Sequence, residues 1–292
     1  MPGPELQYGI VLPNWVAGAD VARLVDAAIA AEEAGWDGVF LADHLIFPPP
    51  PAGTQEARDL PSAAFPDPWI ALAGIATRTT RVRLGSWVTP VPRRQPWQLA
   101  RDLATLDRLS NGRVMLGAGV GRRSDFEAFG DPWSLAGQWE RFDEALQLID
   151  AFWRGDPVNH AGPNFTVRNA TLLPTPVQRP RIPIVVGGIW PSRRSLVRGA
   201  RWDGIVPHVP GDGVLPPDDT PVEDHVRAVV EHYRTLVDEP GEIMLPLEPP
   251  GVGEAYVDVC RELGATWLYR AKQTGAWSLD LESIRLGPPR PR

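Results

Sequence analysis

Eight short runs of β-branched and aliphatic residues, each followed by sequence with helical spacing, recur along this 292-residue chain, and that alternation is what most narrows its fold. The strand-like runs are Tyr8–Leu12, Gly38–Ala42, Val82–Val88, Arg113–Gly117, Ile182–Val186, Gly204–Pro207, Ile243–Leu247 and Thr266–Tyr269. Between and after them, helices are predicted over Asp20–Ala34, Pro68–Thr77, Pro96–Leu109, Gln138–Trp153, Ser192–Arg201, Val222–Val237 and Glu254–Leu263, with a short one over Leu279–Ile284. Eight βα repeats are the count of a closed (βα)8 TIM barrel; an open doubly wound sheet has fewer strands. The predicted class is therefore α/β, one barrel domain over residues 1–292, with no linker to divide it. A hairpin or irregular excursion at Asp156–Leu173 is a short insertion after the fourth helix. Ala34-Gly35-Trp36-Asp37-Gly38, Ala200-Arg201-Trp202-Asp203-Gly204 and Gly264-Ala265-Thr266-Trp267 echo one another, each placing a Trp at a helix-to-strand corner. These tryptophans are expected to plug the bottom of the barrel.

Charge and motif content exclude several classes. A formal net charge of −7 argues against nucleic acid or an anionic membrane as partner, since both need a basic face. No apolar run approaches the ~20 residues of a membrane span. The single Cys260 permits no intrachain disulfide, and Met1–Gln7 lacks a basic-then-apolar leader, so the expected compartment is the cytoplasm. There is no His-Glu-x-x-His, Cys pair, Gly-x-Ser-x-Gly elbow or P-loop, so no metal site is expected and hydrolase readings lack their parts. His160, His208, His225 and His232 show no metal spacing, although His208 follows the sixth strand and stands near the mouth.

In this architecture the working residues lie where strands end and βα loops begin. Two glycines, Gly187 and Gly188, close the fifth run, and a helix is expected from about Ser192, with Arg193 and Arg194 at the same corner. Small residues allow close backbone approach, and a helix start offers unpaired N–H groups and partial positive charge, which together make a phosphate cradle; a tight turn before an ordinary helix is the plainer alternative. The cluster Gly117-Ala118-Gly119-Val120-Gly121 has the wrong spacing and context for a dinucleotide fingerprint and suits backbone packed against a flat ring. At the second strand end, His44 beside Asp43 could orient a substrate or exchange protons with it, or simply cap a loop. Of the twelve tryptophans, Trp15, Trp87 and Trp190 fall on top loops where they could wall an apolar pocket.

The chain resembles the bacterial-luciferase-like flavin-dependent oxidoreductases over nearly its whole length. The likeness rests on Glu32-Glu33-Ala34-Gly35-Trp36-Asp37-Gly38-Val39-Phe40 leading to Asp43-His44, on Arg83-Leu84-Gly85-Ser86-Trp87-Val88-Thr89-Pro90, and on Leu103-Ala104-Thr105-Leu106-Asp107-Arg108-Leu109-Ser110-Asn111-Gly112-Arg113. Leu173-Pro174 through Val177-Gln178-Arg179-Pro180, then Pro183-Ile184-Val185-Val186-Gly187-Gly188, and Gly264-Ala265-Thr266-Trp267 complete the series. The resemblance implies FMN, or alternatively the deazaflavin coenzyme F420, bound across the top of the barrel. Its phosphate would sit at Gly187, Gly188 and the segment Ile189, Trp190, Ser192, Arg193. Its ring would rest on a bulge at Ser86, Trp87 and Thr89, where relatives often carry a non-prolyl cis peptide, with Gly117, Gly119 and Val120 flanking it. His44 and Asp43 are then the candidate catalytic residues.

Two departures from relatives stand out: Gln95 replaces a frequent His before the third helix, and Arg122 stands where sugar-phosphate dehydrogenases of the deazaflavin branch carry an acid, which disfavours their substrate. The first expectation is a monooxygenase using reduced FMN and O2 on a small organic substrate, its flavin supplied by a separate reductase. The alternatives are F420-dependent hydride transfer and a non-catalytic flavin-binding barrel. A non-redox barrel acting on sugar phosphates would supply paired carboxylates or a strand-end lysine, and for the latter Lys272 is a thin candidate. Relatives are often homodimers.

Overall fold

The computed structural model describes residues 6–15, 20–46, 65–209, 220–249, 251–253, 255–271 and 280–289. Its strands are β1 (Gln7–Leu12), β2 (Gly38–Leu41), β3 (Arg83–Ser86), β4 (Thr89–Pro90), β5 (Val114–Gly119), β6 (Val158–Ala161), β7 (Thr166–Ala170), β8 (Ile184–Ile189), β9 (Gly204–His208), β10 (Glu242–Pro246) and β11 (Trp267–Ala271). The parallel ladder runs β1-β2-β3-β5-β8-β9-β10-β11 and returns to β1, where Gly9 pairs with Tyr269, so eight strands close into the expected TIM barrel. The two-residue β4 continues the third barrel strand beyond a break and pairs with Ala118 and Gly119 of β5. The predicted insertion is the antiparallel hairpin β6–β7, with Val158 opposite Ala170.

The helices are α1 (Val21–Glu33), α2 (Pro68–Ala76), α3 (Pro96–Leu109), α4 (Ser124–Glu127), α5 (Leu135–Trp153), α6 (Arg194–Gly199), α7 (Val222–Arg234), α8 (Tyr256–Glu262) and α9 (Leu281–Arg285), with a 3-10 turn at Val91–Arg93. Local chemistry sets their starts. Asp20 accepts from the Arg23 amide ahead of α1, and Asp67 accepts from Trp69 and Ile70 ahead of α2, whose first residue is Pro68. Gly35, at φ +91°, turns the chain out of α1 in a conformation other residues rarely adopt.

Strand alternation sorts side chains into two layers. Tyr8, Ile10, Leu12, Leu84, Leu116 and Leu268 face outward into the helix layer, while Val11, Phe40, Met115, Val185, Val206, Met244, Trp267 and Tyr269 fill the barrel interior. Phe40 lies where Cβ atoms at Gly9, Gly38 and Gly85 would stand 2.6, 2.9 and 3.0 Å from its ring, so three glycines make room for one aromatic. The corner tryptophans divide. Trp267 points into the interior, edge-on to Phe40 at 5.9 Å, Trp36 donates its indole N–H to the Ile284 carbonyl outside the barrel, and Trp202 is half-buried. Only Trp267 therefore plugs the barrel, because it alone lies on an inward register.

Three of the strand boundaries that move bear on the site. The third run, expected to be continuous over Val82–Val88, breaks after Ser86. The fourth strand starts at Val114 and reaches Gly119, because Arg113 is drawn aside into five hydrogen bonds to Ser110, Ala76, Val82 and Thr79. The fifth extends to Ile189, so Gly187 and Gly188 lie within it and pair with Val206 and Pro207. Glu254, Lys272 and Leu279, with residues 47–64 and 210–219, lie outside the described residues.

Candidate active site at the barrel mouth

The break in the third barrel strand holds a non-prolyl cis peptide, found between Trp87 and Val88, one bond beyond Ser86-Trp87. Ser86 shapes the bulge: its hydroxyl donates to the Gly117 carbonyl at 3.0 Å and accepts from the Thr89 amide at 3.2 Å. Val88 then sits in a bed of glycines. Cβ atoms built at Gly117, Gly119 and Gly187 would stand 3.1, 2.6 and 3.0 Å from its methyl groups. The glycine cluster of β5 therefore seats the bulge directly, whereas the sequence reading gave it to a flat ring. Trp87 turns inward, buried, with its ring 3.9 Å from that of Tyr269 and edge-on to His208 at 5.9 Å.

On the rim beside the bulge stands a network of charged groups drawn from three successive βα loops. His44, just past β2, places Nδ1 2.6 Å from Oδ2 of Asp125 in α4. The other oxygen of Asp125 accepts from the amides of Leu45 and Ile46 at 3.1 and 3.3 Å. Arg93 bridges the two buried aspartates, donating to Asp43 through Nη2 and approaching Asp125 to 3.7 Å through Nη1. Arg94 adds contacts to Asp43 at 3.0 and 3.1 Å and to Asp67 at 3.2 Å, and the Thr89 hydroxyl donates to Asp43 at 2.8 Å. Burial would raise the Asp125 carboxyl, but the His44 hydrogen bond and the two amides outweigh it and hold it below the ordinary carboxylate range. Burial likewise works against charge on Arg94, and the neighbouring Asp43 and Asp67 overcome it, raising that guanidinium further.

This geometry separates the two residues expected to be catalytic. Both oxygens of Asp43 are held by Arg93, Arg94 and Thr89, so it ties the end of β2 to the bulge and has no capacity left for a substrate proton. His44 is partly exposed, with its ring edge-on to Phe65 at 6.0 Å.

The corner after β8 differs from the expected cradle. The helix begins at Arg194, not Ser192, has six residues and lacks a side-chain cap. A Cβ at Gly188 would lie 1.7 Å from the Ser195 hydroxyl, so the missing side chain lets α6 settle on the strand. Ile189, Ser192 and Arg193 are exposed at the rim; Ser192 donates to the Ile189 carbonyl, and Trp190 is half-buried. Val120 is half-buried beyond β5. Ser86, Trp87, Thr89, Gly117, Gly119, Gly187, Asp43 and His44 thus converge around one bulge, and the exposed residues after β8 line the rim beyond it. Gln95, exposed, makes no capping bond, and Arg122 is exposed as well.

A planar amphipathic heterocycle with an anionic tail fits this mouth. Trp87 buries its indole N–H with no acceptor among the described residues, a donor suited to a ring carbonyl or nitrogen. Val88 supplies an apolar knob beside it, and Arg193 and Arg194 are exposed at the corner after β8, where guanidinium donors suit an anionic group. Arg93 and Arg94 carry no signal in the sequence as rim residues, and Asp125 stands out of register with the acid of the deazaflavin branch. The one available signal for Asp125 was an acid close behind the β5 glycines, and its contact with His44 spans 81 positions.

Residues 6–241 match the profile of the luciferase-like monooxygenases. An F420-dependent glucose-6-phosphate dehydrogenase of Microbacterium testaceum is 34% identical over 176 residues, 60% of this chain and 49% of that protein. An F420-dependent hydroxymycolic acid dehydrogenase of Mycobacterium tuberculosis is 33% identical over 200 residues, 68% of this chain and 51% of that one. The chain thus spans about half the length of the curated relatives it matches. A monooxygenase from Streptomyces bottropensis shares the fold with a TM-score of 0.74 at 23% identity, covering 96% of this chain and 97% of its own.

Proposed function

The chain belongs to the luciferase-like monooxygenase family, and from that premise we propose that it is an oxidoreductase working with a deazaflavin of the coenzyme F420 type to oxidise a small alcohol. The observation that carries this reading is the pairing, on one rim, of a bulge suited to a tricyclic ring with an imidazole held against a carboxylate. When bound, the deazaflavin supplies a two-electron hydride acceptor. His44 takes the hydroxyl proton as the carbon loses hydride, so the alcohol becomes a carbonyl compound and the proton passes from the imidazole to water. Trp87 would hold the ring edge through its indole N–H, with Val88 behind it. The β8–α6 corner, with Gly187, Gly188, Ser192 and Arg193, would take the anionic tail. The expectation that put reduced FMN and O2 first yields to this order because the relatives at 33–34% identity carry F420-dependent names.

A monooxygenase remains the second reading, favoured by the aromatic lining of Trp15, Phe65, Trp87 and Tyr269, which would keep water from a reactive oxygen adduct. It requires O2 and a flavin reductase as partners. Incubation with oxidised F420 and a panel of primary and secondary alcohols should bleach the deazaflavin absorbance. Substrate-dependent O2 uptake with reduced FMN, and no bleaching, would replace the first reading with the second. A small-molecule substrate and a cytoplasmic setting complete the proposal; no described helix is long and apolar enough to cross a membrane.

A further inference from the structure

We infer that Asp125 is a positioning residue that keeps the proton of neutral His44 on Nδ1, leaving the lone pair on Nε2 and making Nε2 the proton-accepting nitrogen. The inference rests on the reading of His44 as the proton acceptor, but its basis is separate. An ionised carboxylate is an acceptor only, so a nitrogen 2.6 Å from Oδ2 must bring the proton itself. The polar contacts of Asp125 favour the ionised form and outweigh its burial. Two backbone amides donate to Oδ1 and Arg93 stands 3.7 Å from Oδ2, which offsets the cost of enclosing a carboxylate that is only 1% exposed. Among the described residues the other charged groups on this network are Asp43, Arg94 and Asp67; Arg93 and Arg94 both engage Asp43, and Arg94 also engages Asp67. Asp125 also anchors the chain leaving β2, since Leu45 and Ile46 hang from the same carboxylate. Imidazole and anchor are therefore fixed together by one side chain from the fourth loop.

Asp125→Asn separates these duties. The amide oxygen can still accept from Leu45 and Ile46, while the NH2 group replaces Oδ2 and donates toward Nδ1. That forces the His44 proton to Nε2 and removes the accepting lone pair, the same inversion that follows Asp→Asn substitution in a Ser-His-Asp triad. The test is a two-bond 15N–1H correlation spectrum of the 15N-histidine-labelled protein at alkaline pH, with His44 assigned by its loss in His44→Gln. The wild type should show Nδ1–H and Asp125→Asn should show Nε2–H, while Asp125→Glu restores Nδ1–H. An Nε2–H tautomer in the wild type overturns the inference before any variant is made, and the same tautomer in wild type and Asn variant overturns it equally. The spectrum needs no cofactor, so it decides this point even if F420 turnover fails. Where turnover is seen, kcat in Asp125→Asn should fall by about 10²–10⁴, no further than in His44→Ala, with KM little changed; an equal loss confined to KM counts against the inference.

Discussion

Buried charge is handled in opposite ways at the two ends of this barrel. At the bottom, Arg113 spends its guanidinium on the carbonyls of Ser110, Ala76, Val82 and Thr79 and on the Thr79 hydroxyl. Glu32 accepts from the amides of Thr80, Arg81 and Val82, and Asp107 accepts from Val177 and Gln178. Those partners are overwhelmingly fixed backbone dipoles, which cannot change protonation. At the top, Asp43 is held by side chains from a neighbouring loop, and Asp125 adds to two backbone amides a partner that can change protonation, the His44 imidazole. The bottom is stitched and the top is poised, which is the division of labour expected of a barrel whose chemistry sits at the C-terminal strand ends.

Substitutions at the two ends should therefore fail in different ways. The largest effect is expected from His44→Ala, which should lower kcat by about 10²–10⁴ at a stability cost of about 1–3 kcal/mol from the Asp125 oxygen left without its donor; the same stability loss with kcat retained would make His44 a structural group and erase the contrast. Arg113→Met, at the other end, should lose about 3 kcal/mol in chemical denaturation because several buried carbonyls lose their donor. Its folded fraction should keep full kcat, and a variant as stable as wild type would show that the bottom stitching matters little.

Gly119→Ala sharpens the comparison from within the mouth. A methyl group there meets Val88 at 2.6 Å, so a cost of about 1–3 kcal/mol is expected together with weaker cofactor binding. Unchanged affinity would detach Val88 from the seat. The smallest effect concerns acid. At Glu32, burial is outweighed by hydrogen bonds from Val82, Arg81 and Thr80, which hold its carboxyl below the ordinary value of 4.5. The stability it contributes is present above that value and lost as pH falls through the lower folded one. Glu32→Gln should flatten the fall in unfolding free energy across that acid window; an unaltered slope would remove Glu32 from the bottom network.

Much of this was legible in the chain, for reasons that can be located. The eight strand runs stand out because inward and outward faces of a barrel strand are both buried, so Val39-Phe40-Leu41 and Ile184-Val185-Val186 read as unbroken apolar segments. His44 was visible as a polar residue at a strand end. Gly187 and Gly188 were placed beyond their strand because glycine is ordinarily punctuation, whereas here the ladder continues and the absent side chains accommodate Val88 and Ser195. Asp125 and Arg93 were hidden for a different reason. Their meaning lies in contacts between loops 50 and 81 positions apart, and no local pattern encodes such a meeting.

The most direct test is a fluorescence-anisotropy titration of oxidised F420 into wild-type protein and His44→Ala, with FMN as competitor. Saturable binding of similar affinity to both proteins, displaced only weakly by FMN, is the predicted result, since the seat is kept when the base is removed. Absence of saturable binding to the wild type, or tighter binding of FMN, would contradict it.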